Sequence, residues 1–251
     1  MKIYCVANKK GGIGKTTTAT NLASVLSDKG YKTLLIDADP QCNSTDTYRA
    51  QIKDTATLYD VLLDYEDPTN IMDAIQHTEI GDIVAADPLL NNAETQFRDD
   101  GGDELKDSLD WLTGYDYVII DTAPADNKLL KNCLIAADEV IVPVTADRYG
   151  IQGLSDLNHT INTIRKRSNP NLKIAGLLMI KYKDRLKLAQ EVLDGLTAVS
   201  AQLGTKVFKT KIRESTATQQ AQAQRTTVVR YDPRNNTAID YVAFANELIG
   251  D

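Results

Sequence analysis

The residues best placed to do chemistry lie near the start of the chain, in Lys9-Lys10-Gly11-Gly12-Ile13-Gly14-Lys15-Thr16-Thr17. Glycines let backbone N–H groups converge on a phosphate, and the N-terminus of a following helix adds donors and a favourable dipole. Lys15 is placed to neutralise β- and γ-phosphates, and the Thr16 hydroxyl to coordinate Mg²⁺. Lys10, Gly11, Gly12, Ile13, Gly14, Lys15, Thr16 and Thr17 together form the expected phosphate cradle. The standard pattern G-x-x-x-x-G-K-[ST] fails here, because Lys9 takes the place of the first glycine. What remains is a compact variant whose context, an apolar strand before and an amphipathic helix after, is the one phosphate binding needs.

Two more segments supply carboxylates. "LLIDADPQ" ends an apolar run with Asp37 and Asp39, and "YVIIDTAP" ends another with Asp121. Carboxylates at the C-terminal ends of parallel strands face the crevice where ligands bind. Asp121 fits a magnesium ligand acting through water, and Asp39 an orienter of the attacking water; Asp37 is left to hydrogen-bond its own loop.

The elements that must position these groups alternate along the chain. Short runs rich in Val, Ile and Leu at 2–7, 32–38, 81–86, 115–121, 139–144 and 173–180 predict strands buried on both faces. Between them, the stripe Leu22, Ala23, Val25, Leu26 before Gly30 predicts a first helix, with others at 56–65, 103–113, 126–137, 150–168, 184–202 and 237–249. Strand–helix alternation throughout predicts an α/β fold, a single doubly wound, mostly parallel sheet flanked by helices in one domain over 1–251. The stretch 214–235 reads as the least regular.

Composition narrows the function classes. With 42% apolar and 25% charged residues the chain is an ordinary globular protein, and no apolar run approaches the roughly 20 residues needed to span a bilayer. We expect a cytoplasmic protein. Three scattered cysteines (Cys5, Cys42, Cys133) and two histidines argue against a disulfide framework or a zinc site, and predict buried or half-buried thiols. Charge is segregated: residues 165–234 hold 15 Lys and Arg against 5 Asp and Glu, whereas 44–110 hold 4 against 17. An acidic chain with one basic third can present a single basic face to an anionic polymer.

Taken in order, these segments resemble the ParA family of partition ATPases, also called Soj-like, within the deviant-Walker-A P-loop NTPases that include MinD and the nitrogenase iron protein. "KKGGIGKTTTATNLASVLSDKGYKTLLIDADPQCNST" resembles the family's phosphate loop, first helix and switch I, and "YDYVIIDTAP" its second acidic strand and switch II. "ADEVIVPVTADRYGIQGL" is similar to the approach to its next long helix, and the tail follows its pattern of I-R, then A, then Y-D-P, then a closing A-x-x-Y helix. The resemblance implies ATP and Mg²⁺ as cofactors, and weak intrinsic hydrolysis stimulated by a partner. It makes Lys10 the signature lysine that reaches across a sandwich homodimer, and gives Asp39 the water-positioning role. Lys10, Lys15 and Asp39 are thus the expected catalytic set, with Thr16 and Asp121 on the metal.

It further implies non-specific DNA binding by the ATP dimer, nucleoid association in that state, and a ParB-like adaptor in plasmid or chromosome partition. The candidate DNA contacts are Lys181, Lys183, Arg185 and Lys187 at a strand-to-helix junction, then Lys209, Lys211 and Arg213, with Lys206, on a following strand, and Arg225 and Arg230, with Arg234, in the irregular stretch. The alternative is an ATP-dependent dimerisation switch that positions a non-DNA cargo or regulates another protein. A membrane cycler is disfavoured, because the closing "YVAFANELIGD" is short and acidic rather than basic. Three positions depart from the family: Cys42 stands where glycine is usual, Ala123 replaces the first proline of D-x-P-P, and Asp126-Asn127 follow where apolar residues or glycine are usual.

Overall fold

The computed structural model describes residues 1–66, 69–97, 102–145, 153–183 and 187–251, without the side chains of 187–192. Among the described residues, seven strands form one sheet: β1 (Lys2–Val6), β2 (Thr33–Ala38), β3 (Ile75–His77), β4 (Asp82–Val84), β5 (Tyr117–Thr122), β6 (Glu139–Thr145) and β7 (Lys173–Ile180). Their order is β3-β4-β2-β5-β1-β6-β7, and every neighbouring pair is parallel except β3 with β4. The central strands are apolar on both faces because helices cover both. Leu34, Ile36, Val118 and Ile120 pack to one side, under α3 (Leu58–Leu63), α5 (Glu104–Leu109), α6 (Lys128–Ala136) and α7 (Leu154–Arg167). Their alternates Leu35 and Ile119, with Tyr4 and Val6, pack to the other, under α1 (Lys15–Asp28) and α11 (Asn236–Ile249). One-residue alternation of buried side chains is what a pleated strand between two layers requires.

Helix ends follow the local sequence. Asn127 caps α6 by accepting from Leu130 N, and Asn235 caps α11 by accepting from Thr237 N. The remaining helices are the short α2 (Asn43–Thr47) and α4 (Ala93–Gln96), then α8 (Lys187–Gln202), α9 (Thr216–Ala223) and α10 (Val228–Tyr231). Predicted residues 150–152 and 184–186 lie outside the described residues.

Three expectations need correction. The edge strand β3 is absent from the predicted set: Ile75-Gln76-His77 carries one apolar residue, and it is a strand because a turn returns it antiparallel onto β4. The stretch 214–235 is not irregular, since Ser215 caps α9 and the apolar Ala217, Ala221, Val228 and Val229 of α9 and α10 bury into the α1–α11 layer. Residues 206–213 are not a continuous strand. They touch the sheet edge at two isolated bridges, Leu177 with Val207 and Tyr182 with Arg213. Between these the Lys209 and Thr210 N–H groups donate to the two Glu247 carboxylate oxygens, each at 2.8 Å, so the ladder is interrupted.

Candidate functional site

The loop between β1 and α1 is held from both ends. Asn8 donates to Pro143 O at 2.9 Å and its side-chain oxygen accepts Lys10 N at 3.1 Å. Gly12 and Gly14 have φ of 70° and 75°, the left-handed region that glycine enters without cost. A Cβ on Gly14 would also lie 2.9 Å from Ile180 Cδ1. Lys15 is buried, and its ammonium donates to Lys10 O at 3.2 Å, folding back along the loop. Burial lowers its pKa, and the nearby Asp121 and Asp39 carboxylates oppose that shift.

Asp121 and Asp39 lie close to this lysine, and Asp37 lies beside them on the neighbouring strand. Asp37 and Asp121 are register partners in β2 and β5, and both are fully buried. Asp37 accepts from Thr45 N (2.7 Å), Thr45 Oγ1 (2.8 Å) and Asp39 N (3.1 Å), which matches its expected role of bracing its own loop. Asp121 accepts Ser44 Oγ at 2.8 Å on Oδ2, whereas its Oδ1 is buried with no hydrogen-bond partner. Burial, and then the neighbouring Asp37 charge, push the Asp121 carboxyl well above the usual carboxylate range, while the Ser44 and Thr16 hydroxyls act in the other direction. A bare buried oxygen on a carboxyl with raised pKa fits a centre completed by a cation. Among the described residues, no cluster of three His, Cys, Asp or Glu side chains could hold a metal by itself. One carboxylate and the Thr16 hydroxyl are the donor set magnesium uses when water and phosphates complete its shell.

A cleft of about 600 Å³ opens from Gly12–Thr17 and Asp39 towards Ile180, Ile212 and Tyr241. Its far wall is α9, where Gln222 Nε2 reaches Thr17 Oγ1 at 3.4 Å. Ile180, Lys181, Ile212 and Arg213 line it, whereas Tyr182 lies under Lys211 Nζ, 4.6 Å from the ring centroid. Lys10 Nζ lies 3.4 Å from Thr145 Oγ1 at the end of β6.

The basic residues divide by what they already hold. Lys181 belongs to the loop itself, donating to Gly12 O at 2.8 Å. Arg213 grips Asp240 through two nitrogens, at 2.9 and 2.6 Å. Arg230 ties α10 to α1 through Ser24 Oγ (3.1 Å) and Asp28 (2.8 Å). Arg225 pairs with Asp46 at 2.8 Å, and Lys183 with Glu214 at 2.6 Å. Lys209 is exposed, as is Lys206, whose Nζ lies 4.9 Å from the Phe208 ring centroid. Arg185 and the Lys187 side chain lie outside the described residues. Sequence reasoning missed Ser44, the loop contact of Lys181 and the α9 wall; only the position of Ser44 beside the Asp39 turn signalled any of them.

Comparison with known proteins agrees with this geometry. An AAA domain family matches residues 1–174. The chromosome partitioning protein ParA of Myxococcus xanthus is 34% identical over 99% of this chain and 88% of its own length. The sporulation initiation inhibitor protein Soj of Bacillus subtilis is 34% identical over 98% of both chains. This chain belongs to the ParA/Soj family of partition ATPases. Cobyrinic acid a,c-diamide synthase of Mycobacterium smegmatis, solved with an ATP analogue and magnesium, superposes with a TM-score of 0.86 at 29% identity, covering 99% of this chain and 94% of that one. No helix among the described residues is long and apolar enough to cross a membrane. All three cysteines are buried free thiols, as their spacing led us to expect.

Proposed function

We propose that this ParA/Soj-family chain is a magnesium-dependent ATP hydrolase that dimerises on ATP, binds DNA without sequence preference and is released by a ParB-like adaptor. The observation that carries the catalytic part is the pairing of buried Lys15 and Asp39 in the wall of the cleft, with the half-bare Asp121 buried close to that lysine. The loop N–H groups and Lys15 bind the β- and γ-phosphates, and a magnesium ion held by Thr16 and, through water, by Asp121 would supply further charge neutralisation there. Asp39 orients the attacking water; its Oδ1 is fixed by Gln41 N at 2.9 Å. Lys10 crosses to the partner's phosphates in the closed dimer, so that dimerisation depends on a triphosphate being present. Hydrolysis is slow until the adaptor binds.

The DNA face is drawn from cations that form no ion pair among the described residues, chiefly Lys206, Lys209 and Lys211 beside the β7 edge. Arg213 and Arg230 serve the fold instead. The chain then works in the cytoplasm and associates with the nucleoid when ATP-bound. Size-exclusion chromatography with light scattering of Asp39→Ala, in ADP and in ATP with magnesium, tests the switch, and a duplex titration in the same nucleotides tests its output. A dimer in ATP alone with salt-sensitive duplex binding is expected. DNA binding equal in ADP and ATP would refute the proposal, and an ATP dimer indifferent to DNA would favour a non-DNA cargo.

A further inference from the structure

Ser44 and Thr45, adjacent at the start of α2, send their hydroxyls to two aspartates on two neighbouring strands. Thr45 saturates Asp37, which with Asp39 N accepts three hydrogen bonds. Ser44, fully buried, donates to Asp121 Oδ2 at 2.8 Å, with the Thr16 hydroxyl also close to that carboxyl, and Oδ1 is left bare. The two carboxylates lie at the same level of the sheet, so the distribution of hydroxyls decides which keeps an oxygen for a ligand. A buried oxygen left without a donor is costly unless something outside the chain completes it.

We infer that Ser44 is the positioning residue of the metal centre. Its bond fixes one Asp121 oxygen and so leaves the other for the magnesium ligand shell. The same bond ties that carboxylate to α2, whose preceding turn carries Asp39 and is closed by Cys42 N donating to Asp39 O at 2.8 Å. Metal occupancy and the seat of the water-orienting carboxylate are therefore linked through one hydroxyl. The inference rests on the magnesium-dependent reading above.

The test is calorimetric titration of Mg²⁺ into ADP-saturated protein, with ADP affinity in EDTA measured alongside. Wild-type protein should take up Mg²⁺, and Ser44→Ala should raise its dissociation constant about tenfold, the usual scale for a partner that orients a metal ligand. ADP affinity in EDTA should stay within about twofold, since the loop N–H groups and Lys15 that hold the phosphates are untouched. Ser44→Cys keeps the volume but donates weakly, and gives the same comparison should Ser44→Ala fail to fold. Unchanged Mg²⁺ affinity in the folded variant overturns the inference. So does an equal loss of ADP affinity in EDTA, because the hydroxyl would then be holding the loop rather than aiming the carboxylate. Wild-type protein that takes up no Mg²⁺ with ADP would instead overturn the magnesium reading itself.

Discussion

The Lys9 ammonium lies 2.6 Å from Asp126 Oδ2, so the first residue of the phosphate loop is pinned to the segment that follows Asp121. Both residues break an expected pattern, Lys9 that of the standard loop and Asp126 that of the family, and they break it together. Thr160 Oγ1 of α7 adds a contact to Asp126 at 3.3 Å. The Lys9 bond, against some burial, holds the Asp126 carboxyl below the usual range. A depressed pKa contributes stability that is present above the unfolded value, about 3.9, and is lost as pH falls through the folded one. With the carboxylate half exposed, that contribution is about 0.5 kcal/mol. Urea unfolding of wild type and Asp126→Asn should differ by this amount at pH 7, and the difference should shrink as the pH is taken below the unfolded value.

Three substitutions separate the roles at the loop. Lys15→Ala should abolish nucleotide binding. Asp39→Ala should retain ATP binding and the ATP dimer while hydrolysis falls about 10²- to 10³-fold, as for loss of a residue that orients or activates water. Lys10→Ala should bind ATP as a monomer and lose the dimer; light scattering reads that directly.

Cys42 has φ of 55°. Left-handed backbone costs a residue with a Cβ about 1–2 kcal/mol, which accounts for glycine being usual here in the family. Cys42→Ala and Cys42→Gly both lose the thiol and differ in that cost. The glycine variant should be the more stable by about 1 kcal/mol, the reverse of the ordinary order in a chain, where glycine's extra unfolded-state freedom counts against it. Paired denaturant melts decide it.

Arg213 and Lys209 should behave oppositely. Removing Arg213 leaves the largely buried Asp240 carboxylate unpaired, costing about 2–3 kcal/mol and lowering Tm. Lys209→Ala should keep Tm and weaken duplex binding evenly across sequences. It should also reduce the salt slope by about one for each phosphate that the dimer no longer neutralises.

Much of the site could be read from the sequence because its parts are local. Asp39 and Asp121 each lie at the end of an apolar run whose direction fixes where the side chain points, and Lys15 opens the helix that follows the glycine loop. The rest depends on distant partners. Nothing in Val207–Arg213 announces that Glu247 takes two of its N–H groups, so a broken edge reads as a strand. The arginines read as a charged face because Asp28 and Asp240, which occupy Arg230 and Arg213, are set apart from them in sequence. The Gln- and Ala-rich α9 becomes a helix through burial of Ala217 and Ala221, too small a stripe to notice without the wall they meet.

The place of β1 in the sheet has a consequence for biosynthesis. The strand that leads into the phosphate loop leaves the ribosome well before its neighbours β5 and β6, made more than a hundred residues later. The helix after the loop then waits for α11, whose Tyr241 hydroxyl meets Thr18 at 3.4 Å. Because domains fold as units during translation, a nascent chain carries the loop long before it can hold a phosphate. Nucleotide capture must therefore wait until α11 has been made.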